Sequence, residues 1–172
     1  MWDLAPHDLS IMLYLTGQRP RTLSAIGARP FGFSAQESVA FLTLHFDDGM
    51  LAHFHLSWLS PLKMRRTILA GQKKMVVYDH LDPDNQVKVY DKGVEVRSDL
   101  EKDQLLIQYR IGDMYAPKVD QSEALEIEAR HFLDCVTNGE KPITDGAAGL
   151  EVVRLLEAAQ HSMANSGESV RL

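Results

Sequence analysis

The stretch Phe46-Asp47-Asp48-Gly49-Met50 joins two runs that are typical of β-strands, Ser38–Phe46 and Met50–Leu59. Asp48-Gly49 is a favoured pair for a two-residue type I′ turn, so the sequence predicts a β-hairpin at this point. A two-residue turn also fixes the register of the two strands, and the register determines which side chains share a face of the sheet.

That register gives the hairpin two largely apolar faces. One face holds Val39, Phe41, Thr43, His45, Ala52, Phe54, Leu56 and Trp58, and the other holds Ala40, Leu42, Leu44, Phe46, Leu51, His53, His55 and Ser57. A sheet with one wet face alternates apolar and polar residues, so two apolar faces predict cover on both sides. Helices can cover one face, and we expect a subunit interface on the other, at Leu42 and Leu44.

The rest of the chain adds strands and helices around this hairpin. Further β-like runs are Thr22–Gly27, Lys63–Ala70, Lys74–Tyr78, Gln86–Tyr90 and, after a charged run from Glu95 to Asp103, Leu105–Ile111. Helical spacing of apolar residues is found in Asp8–Leu15, Ser122–Val136 and Gly146–Ala164, the last with Thr144 or Asp145 as its cap. We therefore expect an α+β fold, with an open, mostly antiparallel sheet of about six strands and helices on one face. Repeats and linkers are absent, so residues 1–172 are predicted to form a single domain.

Composition excludes several classes of protein. The 172 residues carry a net charge of -6, which disfavours nucleic acid as a partner. No apolar run approaches the roughly 18 residues of a membrane span, and the N-terminus does not resemble a signal peptide. The single cysteine, Cys135, excludes an internal disulfide framework and suits a reducing compartment. We expect a cytoplasmic protein.

Asp3 and His7 are the leading candidates for catalysis. They are four residues apart at the start of the first helical segment, so the two side chains can share a helix face. Histidine is suited to general acid/base work near neutral pH, and a carboxylate can orient a substrate or the imidazole. The spacing alone also fits a plain helix start, with Asp3 and Asp8 as acids near the positive helix end and His7 as an exposed residue.

Other groups carry weaker signals, each with a structural alternative. Gly112-Asp113, followed by Tyr115, fits a pocket-lining loop or a plain turn. His53 and His55 share a strand face, but two histidines are too few for a metal site, and none is predicted. Cys135 one turn from His131 is more typical of a buried residue than of a nucleophile. The Lys63, Arg65 and Arg66 cluster could hold an anion or simply be solvated. The sequence has no glycine-rich phosphate-binding loop.

The order of three motifs resembles the C-terminal half of the glucose-fructose oxidoreductase, inositol dehydrogenase and MocA (Gfo/Idh/MocA) family. The motifs are Asp3-Leu-Ala-Pro-His-Asp8, Glu128-x-x-His-Phe-Leu-Asp-Cys-Val-x-Asn-Gly139 and Asp145-Gly-x-x-Gly-Leu-Glu-Val-Val153, and the resemblance covers essentially all 172 residues. It implies a dihydrodipicolinate-reductase-like C-terminal domain, whose sheet commonly packs face to face in homo-oligomers. Tyr109-Arg-Ile-Gly-Asp113 resembles members that oxidise nucleotide-linked sugars.

The resemblance implies a function and assigns roles to residues. Asp3 would orient a sugar hydroxyl and His7 would take its proton, with Asp8, Asp113 and Tyr115 binding the substrate. NAD or NADP would act in the full-length enzyme and would be held by a Rossmann half that this chain lacks. Glu140-Lys141-Pro142 spells the family's Rossmann motif but lies in the wrong place, between the last two helices.

We therefore expect the substrate-binding and oligomerisation domain of an NAD(P)-dependent oxidoreductase that acts on a sugar, a nucleotide-linked sugar or a related polyol. The isolated chain is expected to bind no cofactor and to be inactive. The alternative is a noncatalytic dimerising or sugar-binding module. A metal-dependent hydrolase built on the histidine hairpin is a third and weaker hypothesis.

Overall fold

A computed structural model describes residues 1–32, 36–99, 104–120 and 122–172. Within these residues the helices are α1 (Ala5–Thr16), α2 (Ala124–Asn138) and α3 (Gly146–Ala164), with a single 3-10 turn at Pro30–Gly32. The strands are β1 (Thr22–Ala28), β2 (Val39–His45), β3 (Leu51–Ser57), β4 (Arg66–Ala70), β5 (Met75–Asp79), β6 (Val87–Tyr90), β7 (Gly93–Asp99), β8 (Gln104–Arg110), β9 (Met114–Tyr115) and β10 (Val170–Arg171).

The chain forms two compact units, which are described separately. The first contains Met1–Pro61 and Glu128–Leu172, and its sheet has the strand order β10-β1-β2-β3. The second contains Leu62–Ile127, with a sheet of order β4-β5-β6-β9 and the hairpin β7-β8. Every pairing in the described residues is antiparallel, which confirms the α+β class. The described strands are divided among three sheets, whereas one sheet of about six strands was expected. That residues 1–172 form a single domain stays a prediction.

The core of the first unit lies between one face of its sheet and the helices α1 and α3. On β1, β2 and β3 alternate residues point inward, and the buried ones are Leu23, Ala25, Ala40, Leu42, Leu44 and Leu56. Leu9 of α1 and Leu155, Leu156 and Ala159 of α3 complete this cluster. We call this side of the sheet the inner face. Its strict alternation is the period of a β-strand with one buried side.

The hairpin between β2 and β3 is present, but the predicted register is wrong by one residue. His45 pairs with Leu51, and the Phe46 N–H donates to the Met50 carbonyl oxygen at 3.0 Å. The loop therefore has three residues, Asp47-Asp48-Gly49, and Gly49 adopts a left-handed φ of 85° that suits glycine. The one-residue difference moves every β3 side chain to the opposite face from the one predicted.

The burial of Leu42 and Leu44 changes the face of the sheet on which a subunit interface can lie. Leu42 and Leu44 are both 0% exposed and lie in the core, so they cannot form a subunit contact. The other side of the sheet, which we call the outer face, is formed by Thr22, Ser24, Ile26, Val39, Phe41, Thr43, His45, Leu51, His53, His55 and Ser57. His45 thus shares a face with His53 and His55, contrary to the prediction.

Two further segments depart from expectation. Helix α2 forms over the expected residues, yet it has no buried residue: its apolar side chains, including Phe132 and Val136, each 67% exposed, face solvent. No strand was predicted in the charged run from Glu95 to Asp103, but β7 extends to Asp99 and pairs with β8. Residues 100–103 of that run lie outside the described residues. The strand predicted at Leu105–Ile111 is confirmed as β8.

Candidate functional site

Asp3 and His7 lie one helical turn apart at the beginning of α1. The turn starts before the helix proper, because the Ala5 N–H already donates to the Met1 carbonyl oxygen at 3.0 Å and Leu4 has right-handed helical backbone angles. Residues 3 and 7 therefore occupy the same side of one continuous helical stretch. Both side chains are exposed. Asp8 follows in the first helical turn, where an acid favours the positive helix end.

The turn that carries Asp3 is attached to the core on both sides. Met1, Ala5 and Leu9 are buried in the cluster beneath α1. Next to Asp3, the indole N–H of Trp2 donates to the Gln160 side-chain oxygen of α3 at 3.1 Å. Apolar packing and this hydrogen bond together hold the backbone of the Asp3 turn against α3, and the Asp3 side chain is exposed.

Asp113 and Tyr115 lie together in the second unit. Tyr115 is on β9 opposite Val89, and the Asp113 carbonyl oxygen accepts from the Asp91 N–H at 2.8 Å. Gly112 is required here, because a Cβ at this position would collide with the Asp91 carbonyl oxygen. The Asp113 side chain is exposed, and Tyr115 is 51% exposed. The structure therefore brings these two candidates together in one unit and Asp3, His7 and Asp8 together in the other.

An ion pair stabilises the backbone around this loop. Arg110 donates from Nη2 to Asp91 Oδ1 at 2.8 Å and to the Lys73 carbonyl oxygen at 2.6 Å. The hydrogen bond from Arg110 lowers the pKa of Asp91 below its ordinary value. Asp91 is therefore held as a carboxylate, and the strand end from which Asp113 and Tyr115 project is fixed by charge-assisted bonds.

The three histidines of the hairpin are exposed on the outer face. The rings of Phe41 and His55 stack with centroids 4.5 Å apart, and the Phe41 and His53 centroids are 6.2 Å apart. Nδ1 of His53 lies 3.1 Å from the Thr43 hydroxyl. Within the described ranges, no three histidine, cysteine or carboxylate side chains converge as ligands for a metal ion.

The remaining candidates make structural contacts. His131 Nε2 accepts from the Ile143 N–H at 3.1 Å and lies 3.6 Å from Cys135 Sγ, so this imidazole ties α2 to the loop before α3. Arg66 is paired with Asp79 at 2.6 Å. Lys141, from the Glu-Lys-Pro sequence, is 3.3 Å from Asp145. Asp145 caps α3 as predicted, accepting from the Ala148 N–H at 2.9 Å.

The first unit also has a groove that could not be predicted from the sequence. It has a volume of about 570 Å³ and is lined by Leu13, Arg19, Pro20, Glu151, Arg154, Leu155, Glu157, Ala158, His161, Arg171 and Leu172. Glu151 contacts both Arg19, at 3.5 Å, and Arg154, at 2.8 Å. These residues come from distant parts of the sequence, so only the i,i+3 spacing of Glu151 and Arg154 was visible beforehand.

Comparison with known proteins places this fold. Residues 1–77, which contain Asp3, His7 and the hairpin, match the model of the GFO/IDH/MocA C-terminal domain. The first 77 residues of the chain are thus similar to this C-terminal domain. No curated protein sequence matches the chain.

Nearly the whole chain is similar in fold to several solved structures. UDP-N-acetylglucosamine 3-dehydrogenase GnnA from Acidithiobacillus ferrooxidans is 21% identical with a TM-score of 0.72, over 94% of this chain and 46% of that one. An aldose-aldose oxidoreductase from Caulobacter crescentus, complexed with glycerol, is 19% identical with a TM-score of 0.75, over 99% and 46%. A levoglucosan dehydrogenase, complexed with NADH and levoglucosan, is 16% identical with a TM-score of 0.73, over 99% and 49%. The chain thus spans about half the length of these structures and shares their fold.

The N-termini of α1 and α3 do not have the features of a nicotinamide dinucleotide site. Such cofactors bind where a glycine-rich turn leads from a strand into a helix N-terminus. Helix α1 follows the turn at Met1–Leu4, and the N-terminus of α3 is occupied by the carboxylate of Asp145. A carboxylate at that position would repel a pyrophosphate. Among the described residues, every helix is also too short or too polar to cross a lipid bilayer.

Proposed function

We propose that this chain is the substrate-binding and oligomerising part of a nicotinamide-dependent oxidoreductase that acts on a sugar, a nucleotide-linked sugar or a related polyol. The observation that carries the proposal is the exposed pair Asp3 and His7, one turn apart on a helix anchored to the core, within the segment that matches the GFO/IDH/MocA C-terminal domain. The named activities of GnnA, the aldose-aldose oxidoreductase and levoglucosan dehydrogenase support a sugar as substrate.

Each candidate residue has a defined task in this proposal. Asp3 accepts a hydrogen bond from the sugar hydroxyl that is oxidised and orients it toward His7. His7 takes the proton of that hydroxyl as the alcohol becomes a carbonyl, which is general base catalysis by an imidazole. Asp8, in the same unit, offers a second carboxylate to another hydroxyl group of the substrate. Substrate binding by Asp113 and Tyr115 of the second unit stays a prediction from the sequence. The cofactor, NAD or NADP, supplies the acceptor for the carbon-bound hydrogen.

Cofactor binding is assigned to a separate domain. The described residues hold no cradle for a dinucleotide, and the chain spans about half the length of the structures that share its fold. Two exposed apolar surfaces are suited to pack against such a domain. One is the ridge of Ile11, Tyr14 and Leu15 on α1, which continues the side of the helix that carries His7, and the other is the apolar side of α2.

Oligomerisation is assigned to the outer face of the first sheet. Ile26 is 62% exposed, Leu51 is 55% exposed and Phe41 is 42% exposed, so the face presents large apolar side chains to solvent. The other outward residues of β1, β2 and β3 are small and neutral or are histidines. This surface replaces the Leu42 and Leu44 face that the sequence suggested.

The experiment that tests the catalytic assignment removes the imidazole of His7. The chain is joined to the cofactor domain of a family member, and dehydrogenase activity is measured with UDP-N-acetylglucosamine and with levoglucosan. We expect His7→Ala to lower kcat by about 10²- to 10⁴-fold, the range for loss of a general base. His80→Ala, an exposed histidine of the second unit, is the matched control and should retain full activity.

The alternative, a noncatalytic dimerising or sugar-binding module, gives a different result. For the isolated chain it is favoured because the sequence has no glycine-rich phosphate-binding loop. In that case sugar binding, observed as NMR shifts of the His7 ring, would occur without turnover in the joined protein. Unchanged activity in His7→Ala would instead remove His7 from the mechanism.

A further inference from the structure

The outer face has an unusual distribution of charge. Aspartate, glutamate, lysine and arginine make up 24% of the chain, yet none of them points outward from β1, β2 or β3. The ionisable side chains of this face are His45, His53 and His55, and all three are exposed. The charge of the face is therefore set by its histidines.

Charged residues lie at the margins of the face, where they already have partners. At one end of the strands Arg21 is 3.7 Å from Asp47, and the Gln18 side chain donates to Asp48 at 2.9 Å. At the other end Arg29 is 3.0 Å from Glu37. A backbone hydrogen bond, followed by the hydrogen bond from Arg29, lowers the pKa of Glu37 below its ordinary value.

The edge strand β10 adds one cation. It places Arg171 opposite Thr22, next to the row that contains His45. The face is thus a neutral, partly apolar centre within a charged rim, which is the usual anatomy of a protein–protein interface. No carboxylate of β1, β2 or β3 lies on this face to neutralise a protonated histidine.

The histidines are part of the apolar centre. His55 stacks on Phe41 with ring planes 15° apart, and the ring centroid of His53 lies 6.2 Å from that of Phe41 at a 22° interplanar angle. Thr43 is 3.1 Å from His53 Nδ1. Any molecule that covers Phe41 must therefore also cover these two imidazoles.

We propose that two copies of this chain associate through their outer faces and that protonation of His45, His53 and His55 separates them. This inference rests on the self-association proposed above and adds its regulation. A neutral face offers no fixed charge to a charged partner, whereas a second copy can cover it without burying an unpaired charge. In a two-fold contact the same patch meets itself, so every imidazolium of one copy faces a patch of the same sign.

The direction of the effect follows from the histidine charge. Histidine changes its charge between about pH 5 and 8. When the three histidines are unprotonated, the centre of the face carries no charge and the copies associate. When they are protonated, each face gains positive charge, which must lose its hydration and approach like charge for the dimer to persist. Acidification therefore favours the monomer.

The test is sedimentation equilibrium of the chain at about pH 8 and about pH 5.5 at equal ionic strength. We expect the dissociation constant of the dimer to rise by about tenfold or more at the lower pH, and added salt to restore part of the association by screening. Circular dichroism at both pH values checks that the monomer is folded.

A matched pair of variants locates the effect. The triple variant His45→Gln, His53→Gln, His55→Gln should stay associated at about pH 5.5. The control His80→Gln, His161→Gln, which removes two exposed histidines from other surfaces, should dissociate like the unaltered chain. If the triple variant does not fold, His55→Gln alone should reduce the pH dependence.

The outcomes separate the two proposals. A chain that is monomeric at both pH values contradicts self-association through this face, and the pH switch with it. A dimer that is equally stable at both pH values, or a folded triple variant that still dissociates on acidification, overturns the switch and leaves self-association standing.

Discussion

Ser162 shows how a single buried hydroxyl joins a helix to a sheet. Its Oγ accepts from the Ala25 N–H at 2.8 Å and donates to the Glu168 carbonyl oxygen at 2.6 Å, and the residue is 0% exposed. The hydroxyl thereby links α3, β1 and the turn that leads into β10. A serine in an amphipathic helix gives no sign of this role in the sequence, because its partners lie 137 and 6 residues away.

We expect Ser162→Ala to lower the free energy of unfolding by about 1 to 3 kcal/mol, because the buried Ala25 N–H and Glu168 carbonyl lose their partner. Urea unfolding measures the change. Ser10→Ala is the control: its hydroxyl donates to the His7 carbonyl oxygen on an exposed helix surface, and its loss should cost less than about 0.5 kcal/mol. Equal effects for the two variants would contradict the role of burial.

The candidate site could be predicted only in part, because the sequence shows local spacing but not contacts between distant residues. The spacing of Asp3 and His7 predicts a shared helix side, since helical periodicity is local information. The Trp2 contact with Gln160 could not be predicted, because it joins residues 158 positions apart. Asp113 and Tyr115 are close in sequence, and their grouping follows from that alone.

The hairpin β2–β3 shows where local sequence is insufficient. The pair Asp48-Gly49 fits a two-residue turn, but it fits equally well as the end of a three-residue loop with glycine in the left-handed region. The choice depends on burial: the observed register places Ala40, Leu42 and Leu44 opposite Leu56, Phe54 and Ala52 under the helices. Fold class and strand positions were therefore predictable, whereas the face of each side chain depended on tertiary packing.

This register makes a quantitative prediction for neighbouring strands. Leu42→Ala removes a side chain that is 0% exposed, so we expect it to lower the free energy of unfolding by about 2 to 5 kcal/mol. Ile26→Ala, on the opposite face and 62% exposed, should cost less than about 1 kcal/mol. Chemical denaturation of both variants measures the difference. The subunit interface expected at Leu42 would instead predict a small effect on the stability of the monomer.

The cap of α3 gives a pH-dependent prediction. The hydrogen bond from the Ala148 N–H, followed by that from Lys141, lowers the pKa of Asp145 below its ordinary value. A lowered pKa in the folded state means that the carboxylate stabilises α3 above the unfolded-state pKa, and that this stability is lost as the pH falls through the folded-state pKa. Asp145→Asn keeps a capping oxygen without the charge.

We therefore expect the Tm of Asp145→Asn to lie below that of the unaltered chain at neutral pH. The gap should shrink on acidification, as the natural carboxylate also becomes neutral. Thermal unfolding followed by circular dichroism over a series of pH values provides the measurement. A Tm difference that stays constant with pH would show that the charge of Asp145 does not contribute to the stability of α3.

The chain exposes several groups of large apolar side chains that are not part of its core. Ile11, Tyr14 and Leu15 on α1, the apolar side of α2 and the outer face of the first sheet are all exposed. Large exposed apolar patches mark interaction surfaces in proteins that are otherwise well packed. This pattern supports a chain that works as one part of a larger assembly.

Self-association through the outer face has its own test. Ile26→Glu places an unpaired charge at the centre of the proposed contact, and we expect it to weaken dimerisation by about tenfold or more. Native mass spectrometry at neutral pH gives the ratio of dimer to monomer. Tyr14→Glu, at an exposed position on α1, should leave that ratio unchanged. An unaltered ratio in a folded Ile26→Glu variant would assign the contact to another surface.

The hydrogen bond between Trp2 and Gln160 has a consequence for the order of folding. A chain is synthesised from its N-terminus, so the turn that carries Asp3 leaves the ribosome well before α3, the helix that supplies Gln160. The entropy of closing so long a loop must be overcome before this contact can form. The turn that carries Asp3 is thus made before α3 but reaches its final position only together with it, and the candidate site is completed only when the rest of its unit has folded.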